Sequence, residues 1–234
     1  MNDTPAGRGV KAAAKDLLRP YYKRLRFFIK SRLPALYRDG NRYDDIAAEI
    51  RRLRPAVIVE IGACEGENAE RMLFQALRFG PVKYFGFDLF EEMDGATFRR
   101  EAALWPGSLA GVEARLKTVR AAGRAPEVRL YKGDTAATLP AAAADIGRAD
   151  LIFIDGGHSL ETVRADWENS QRLCGPGTVI YFDDYPNWGV GPVVDAIDRA
   201  KWDVEVLAPG DFYYRHTPPL NCRLARVTPR PGGK

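Results

Sequence analysis

Between residues 57 and 182 the chain alternates two patterns: short continuous apolar runs, and longer stretches whose apolar residues recur at helical spacing. The runs at 57–61, 82–88, 128–131, 151–154 and 178–182 predict strands, since unbroken Val, Ile, Phe and Tyr suit strands buried on both faces. The intervening segments 67–79, 109–122, 135–144 and 160–173 predict helices, the last stopped by Gly175-Pro176-Gly177. A further helix at 193–200 and closing strands at 204–207 and 222–227 complete the series. Strands alternating with helices imply right-handed crossovers, hence an α/β fold with a doubly wound, mainly parallel sheet. No internal repeat breaks this order, and the Pro- and Gly-rich 229–234 segment reads as a frayed tail.

Two of the strands stop at aspartate. The 151–154 run meets Asp155-Gly156-Gly157-His158, and the 178–182 run meets Asp183-Asp184-Tyr185. Open α/β sheets bind ligands at the carboxyl ends of their strands. If these two strands are neighbours, their tips lie about 4.8 Å apart. Three carboxylates there repel one another unless a cation, a shared proton or a cationic ligand holds them. A helix-capping turn before Pro186 is the plainer reading of Asp183-Asp184.

The first strand leads into Gly62-Ala63-Cys64-Glu65-Gly66, a G-x-x-x-G turn before a helix. A dinucleotide site prefers G-x-G-x-x-G, where pyrophosphate rests on bare backbone N–H groups. Glu60, Glu65 and Glu67 around this turn disfavour pyrophosphate and suit a cationic cofactor. Asp88 closes the second strand, where doubly wound folds place an acid for ribose hydroxyls, and Gly133-Asp134 closes the third. Together they describe a nucleoside pocket without phosphates, although Asp88 and Asp134 also suit helix N-capping. The stretch 90–126 is long for a connection between adjacent strands, and only its second half has a helical pattern; 91–107 is a candidate lid.

Composition narrows the class. At 234 residues, 46% hydrophobic and 28% charged, the chain suits one sizeable α/β domain with an appendage. No run approaches a membrane span and no apolar signal segment opens the sequence; Cys64, Cys174 and Cys222 lack zinc spacing and read as reduced thiols of a cytoplasmic protein. The basic excess is confined to the N-terminus: residues 1–54 hold 14 of the 35 Lys and Arg but 6 of the 31 Asp and Glu. Within it, 17–37 interleaves basic and apolar residues as an amphipathic helix does. The expected organisation is a basic helical extension over 1–50, a main domain over 51–228 and the tail 229–234. The extension reads as a solvated cap over the site or a contact to a second copy of the chain.

Over 57–185 the chain resembles the class I S-adenosylmethionine-dependent methyltransferases. The resemblance is carried by the strand and glycine loop ending at Gly66, by Tyr84-Phe85-Gly86-Phe87-Asp88, by Tyr131-Lys132-Gly133-Asp134, and by the two Asp-tipped strands. The last two segments and the stretch from Phe90 look particularly like the macrocin and mycinamicin type of macrolide-sugar O-methyltransferases. The resemblance implies a seven-stranded sheet and S-adenosylmethionine at Glu60, Gly62, Ala63, Gly66, Asp88, Leu89, Gly133, Asp134 and Asp155. It also implies a magnesium ion on Asp155, Asp183 and Asp184, and a small hydroxylated acceptor such as a sugar or natural-product glycoside. Many relatives carry a second acid in the strand-four turn, and this chain departs from them there with Gly157 and His158.

Methyl transfer asks the enzyme mainly to align and deprotonate the nucleophile. Magnesium held by oxygen ligands can grip two vicinal oxygens of an acceptor and lower the pKa of one. Asp155 and His158 are the candidate catalytic residues, His158 as base because its ordinary pKa lies near neutrality. A lone histidine after a turn also serves as a structural hydrogen bonder. His216 lies in an aromatic loop near Tyr213 and Tyr214, and Tyr185 and Trp188 are candidate walls for an acceptor. Three other readings share these features: a metal-free methyltransferase acting on nitrogen or a carboxylate, an RNA methyltransferase using the basic N-terminus, and a non-catalytic nucleoside-binding module. The Asp-Asp-Tyr-Pro tip differs from the type used to methylate base amino groups, which counts against nucleic acid.

Overall fold

A computed structural model describes residues 42–232 apart from 102–103, 209 and 214–218. The predicted amphipathic helix at 17–37, its oligomer contact, and His216 and Tyr214 lie outside the described residues. Five parallel strands form the centre: β1 (Val57–Ile61), β2 (Lys83–Asp88), β3 (Glu127–Lys132), β4 (Leu151–Ile154) and β5 (Val179–Tyr185). The sheet order is β3-β2-β1-β4-β5-β8-β6, with β6 (Trp202–Val206) and β8 (Leu220–Pro229) at one side. β8 runs antiparallel to both β5 and β6, and a short β7 (Asp211–Tyr213) pairs with it. This is the expected doubly wound, mainly parallel seven-stranded sheet, with β7 as an addition that three residues could not signal. Pro229 pairs with Trp202, and Arg230 N–H donates to the Lys201 carbonyl at 2.9 Å, so pairing reaches into the predicted tail.

The helices are α1 (Tyr43–Leu53), α2 (Glu67–Ala76), α3 (Gly95–Glu101), α4 (Leu109–Lys117), α5 (Thr135–Ile146), α6 (Leu160–Gln171) and α7 (Val190–Asp195). Strand alternation divides the core between two faces. Ile58, Tyr84, Leu151, Phe153, Val179 and Tyr181 pack beneath α1, α2 and α4 through Ile46, Ile50, Leu73 and Leu116. Val59, Ile61, Phe85, Phe87, Ile152, Ile154, Ile180 and Phe182 pack under α5, α6 and α7 through Leu139, Trp167 and Val194. Residues 43–50, grouped in sequence with the N-terminal extension, are thus the first core helix. All four β4 residues are buried, which is why that run shows no alternation.

Helix starts follow side-chain chemistry. Ser108, Asp134 and Ser159 accept backbone N–H groups at the starts of α4, α5 and α6. The predicted lid is partly helical: α3 lies within it, and a 3₁₀ turn at Phe90–Glu92 leads into it. It is tied to the glycine loop through Gly107 N–H to the Cys64 carbonyl, 3.1 Å.

Candidate active site

The strand order sets Asp134, Asp88, Gly62, Asp155 and Asp183 along the carboxyl ends of β3, β2, β1, β4 and β5. The two Asp-tipped strands are direct neighbours, with Ile154 opposite Phe182. Gly62 has φ +89°, and a Cβ there would lie 2.0 Å from the Asp155 carbonyl oxygen. Glycine at this position is therefore what lets the β1 loop pass against the β4 tip.

Upstream, the loop is pinned to β2. Gly62 and Ala63 N–H groups donate to the Phe87 carbonyl at 2.8 and 3.2 Å, and Gly66 opens α2 in the left-handed region. The Asp88 carboxylate accepts Cys64 N–H at 2.7 Å and Phe90 N–H at 3.0 Å. Its pKa is raised because burial outweighs those two donors. Leu89 is half-buried beside it, and Gly133 N–H donates to the Asp88 carbonyl at 2.9 Å. Asp134 is exposed and caps α5 through Ala136 N–H at 2.9 Å.

Glu60 departs from the expected arrangement. Its side chain is fully buried on the α2 face of the sheet and accepts the Tyr84 hydroxyl. Burial pushes its carboxyl up to about 8, so at neutral pH it is an acid without charge. It does not supply the negative charge that the sequence suggested around the loop.

At the β4 and β5 tips the carboxylates are unequally held. Asp183 is buried, and both its oxygens accept from Arg42: Nε to Oδ1 at 2.5 Å and Nη2 to Oδ2 at 2.9 Å. The Tyr43 hydroxyl donates to Oδ2 at 2.7 Å, and Asp184 N–H to Oδ1 at 2.8 Å. Asp184 accepts Arg42 Nη2 on Oδ1 at 3.1 Å and faces His158 Nε2 with Oδ2 at 3.0 Å. Among the described residues, the Asp155 carboxylate has a single long hydrogen bond, from Asn68 Nδ2 at 3.5 Å. Burial, with Asp183 and Asp184 nearby, raises its pKa well above the ordinary carboxylate range.

His158 has no spare nitrogen in this arrangement. Nδ1 lies 2.7 Å from the Glu101 carbonyl oxygen and Nε2 faces the Asp184 carboxylate. Asp184 and the Glu101 carbonyl raise the pKa of the ring against the effect of burial, so both nitrogens of the predicted base are engaged within the protein. The Glu101 side chain, at the end of α3, accepts Ser159 N–H at 2.9 Å, Ser159 Oγ at 3.1 Å and Thr162 Oγ1 at 3.2 Å. Trp188 lies over the imidazole, ring centroids 4.6 Å apart. Cys64, Phe90, Asp184 and Trp188 all hold positive φ without being glycine, a conformation costing on the order of 1–3 kcal/mol each and concentrated at functional sites.

Sequence reasoning missed Arg42, Tyr43 and Glu101. Arg42 is 141 residues from Asp183, and Glu101 is 58 from Ser159. No local pattern marks either residue.

The family model described as "Methyltransferase domain" matches residues 59–185, more than half of the chain and the whole of this strand-tip array. The chain belongs to this methyltransferase family.

Solved structures share the methyltransferase fold. The O-methyltransferase TomG from Streptomyces achromogenes, in complex with S-adenosylmethionine, is 16% identical over 78% of each chain, with a TM-score of 0.55. CalS11, a TDP-rhamnose 3'-O-methyltransferase of calicheamicin biosynthesis, is 19% identical, covering 97% of this chain and 96% of its own, TM-score 0.55. An rRNA methylase from Streptococcus thermophilus is 9% identical, covering 83% of this chain and all of its own, TM-score 0.57. No curated protein matches the chain. The enzyme is an S-adenosylmethionine-dependent methyltransferase, and at these identities the fold alone does not select the acceptor.

The donor set does not fit the magnesium ion that the resemblance implies. All four carboxylate oxygens of Asp183 and Asp184 already accept from N–H or O–H groups, and the cation between them is the Arg42 guanidinium. Among the described residues no group of three or more His, Cys, Asp or Glu is arranged to hold a metal. Cys64, Cys174 and Cys222 are unpaired, and no described helix is long and apolar enough to cross a membrane.

Proposed function

We propose that this methyltransferase methylates a hydroxyl oxygen of a small molecule, a sugar or natural-product glycoside in the manner of the macrolide-sugar enzymes, with Asp155 as general base. The observation that carries this reading is the state of Asp155. It sits at the β4 tip next to the glycine loop, and among the described residues its carboxylate has a single long hydrogen bond, from Asn68, so it can turn toward an acceptor hydroxyl. TomG and CalS11, both O-methyltransferases, support the same reaction class.

In this reading the cofactor lies over Gly62, Ala63 and Gly66, with its ribose at Asp88 beside Leu89 and its adenine toward Gly133 and Asp134. A carboxylate has about four acceptor sites, and the two backbone donors on Asp88 leave room for two ribose hydroxyls. The acceptor oxygen attacks the sulfonium methyl carbon in line. The carbon–sulfur bond breaks with its electron pair passing to sulfur, and the hydroxyl proton passes to Asp155. His158 and Arg42 hold Asp184 and Asp183 in place and transfer no proton. Trp188 stands beside His158 as an apolar wall for the acceptor.

Clustered carboxylates at the tip disfavour a phosphate backbone, which argues against RNA as acceptor. The test is methyl transfer from labelled S-adenosylmethionine across sugars, nucleotide sugars, catechols and RNA, with wild type and Asp155→Asn. The expected result is transfer to a small hydroxylated acceptor that Asp155→Asn lowers by about 10²–10⁴-fold while cofactor binding persists. Transfer to RNA alone, or an unimpaired Asp155→Asn enzyme, refutes the proposal.

A further inference from the structure

Arg42 precedes α1 and is 4% exposed, yet its five N–H groups reach three carboxylates and two phenols. Besides Asp183 and Asp184, Nη1 donates to Asp211 Oδ2 at 3.0 Å and to the Tyr213 hydroxyl at 2.7 Å. Nη2 also lies 3.1 Å from the Tyr43 hydroxyl, which itself donates onward to Asp183. A guanidinium is planar, permanently charged and matched to carboxylates two bonds at a time. Its Nε and Nη2 grip Asp183 in that bidentate manner, so the ion pair is built into the fold through the start of α1 and the tips of β5 and β7.

Arg42 Nη2 also pairs with Asp184 Oδ1 at 3.1 Å, so one fixed guanidinium serves both carboxylates of the β5 tip. A magnesium ion needs near-octahedral oxygen ligands at about 2.0–2.1 Å. Placing one here means breaking the bidentate Arg42 pair and leaving a buried guanidinium beside a dication, which Coulomb repulsion opposes.

We propose that Arg42 is the resident cation of the β5-tip carboxylates, and that this methyltransferase works without a divalent metal. The ground is the guanidinium and its partners. Arg42 acts as a positioning residue: it holds Asp183 and Asp184 rigid beside Asp155. The inference rests on the family and on the geometry, not on the identity of the acceptor, so its test reads metal rather than product.

Mn²⁺ binding to the full chain is measured by electron paramagnetic resonance, with and without S-adenosylmethionine, for wild type, Asp183→Asn, Arg42→Ala and Arg42→Ala/Asp183→Asn. Wild type is expected to leave Mn²⁺ free into the millimolar range. Arg42→Ala is expected to gain at least tenfold in affinity, and Asp183→Asn in that background to abolish the gain. Stoichiometric Mn²⁺ binding by wild type that Asp183→Asn removes overturns the proposal, as does a folded Arg42→Ala protein that binds no Mn²⁺. Should Arg42→Ala not fold, wild type and Arg42→Lys decide: both are expected to leave Mn²⁺ free, and binding by either overturns it. In the labelled-cofactor assay, wild-type turnover is expected to survive EDTA treatment, whereas loss of turnover restored by Mg²⁺ refutes metal independence.

Discussion

His158 Nε2 lies 3.0 Å from Asp184 Oδ2 while its Nδ1 lies 2.7 Å from the Glu101 carbonyl, so one imidazole ties the β5 tip to the end of α3. Burial opposes charge on the ring, but the hydrogen bond and charge of Asp184 outweigh it and raise the pKa above the ordinary histidine value. A raised folded-state pKa contributes stability that is full below about 6.5 and fades as pH climbs through the folded value. His158→Gln is therefore expected to flatten the loss of stability with rising pH above neutrality, measured as urea midpoints over a pH series. Parallel curves for the two proteins disprove the imidazolium pair.

Glu101 should matter beyond its own helix. Its carboxylate accepts the Ser159 N–H, and losing a partner of a buried donor costs about 1–3 kcal/mol. Glu101→Ala is expected to lower stability by that amount and to raise amide exchange in α3 and at 158–162. Unchanged exchange at the turn shows that Glu101 does not anchor it.

Gly62→Ala tests the close approach of the β1 loop and the β4 tip. A Cβ 2.0 Å from the Asp155 carbonyl oxygen forces the tips apart, and φ +89° adds strain. The expected loss exceeds the ~1 kcal/mol typical of a point mutation, with cofactor binding weakened in calorimetry. Full cofactor affinity in a stable variant contradicts the contact.

Glu60 offers a cleaner titration. Its pKa, about 8 in the fold, exceeds the unfolded value of about 4.3, so its contribution is full at acid pH and lost as pH rises through the folded value. Glu60→Gln keeps the shape without the ionisation. The variant is expected to gain on wild type steadily as denaturation is repeated from acid to alkaline pH, and a constant difference rules out a buried acid.

The order of elements was legible because the strands are buried on both faces and punctuated by Gly, Pro and Asp. β1 and β4 begin and end where the apolar runs do. The tips holding Asp155, Asp183 and Asp184 were legible for the same reason: an acid after a fully buried run stands out. β7 and α3 were not, because a three-residue strand and a seven-residue helix are fixed by their partners rather than by periodicity.

The sequence by itself determined that a doubly wound sheet presents clustered carboxylates beside a glycine loop, since apolar runs dictate strands and chain order restricts their connection. Only the tertiary structure decided what those carboxylates do. Burial pushed the Glu60 carboxyl up, and Arg42, 141 residues away, came to pair with Asp183. His158 received an acceptor at each nitrogen, whereas Asp155 received one long hydrogen bond from Asn68 among the described residues. Protonation and pairing depend on desolvation and on neighbours brought together by folding, and no linear spacing encodes them.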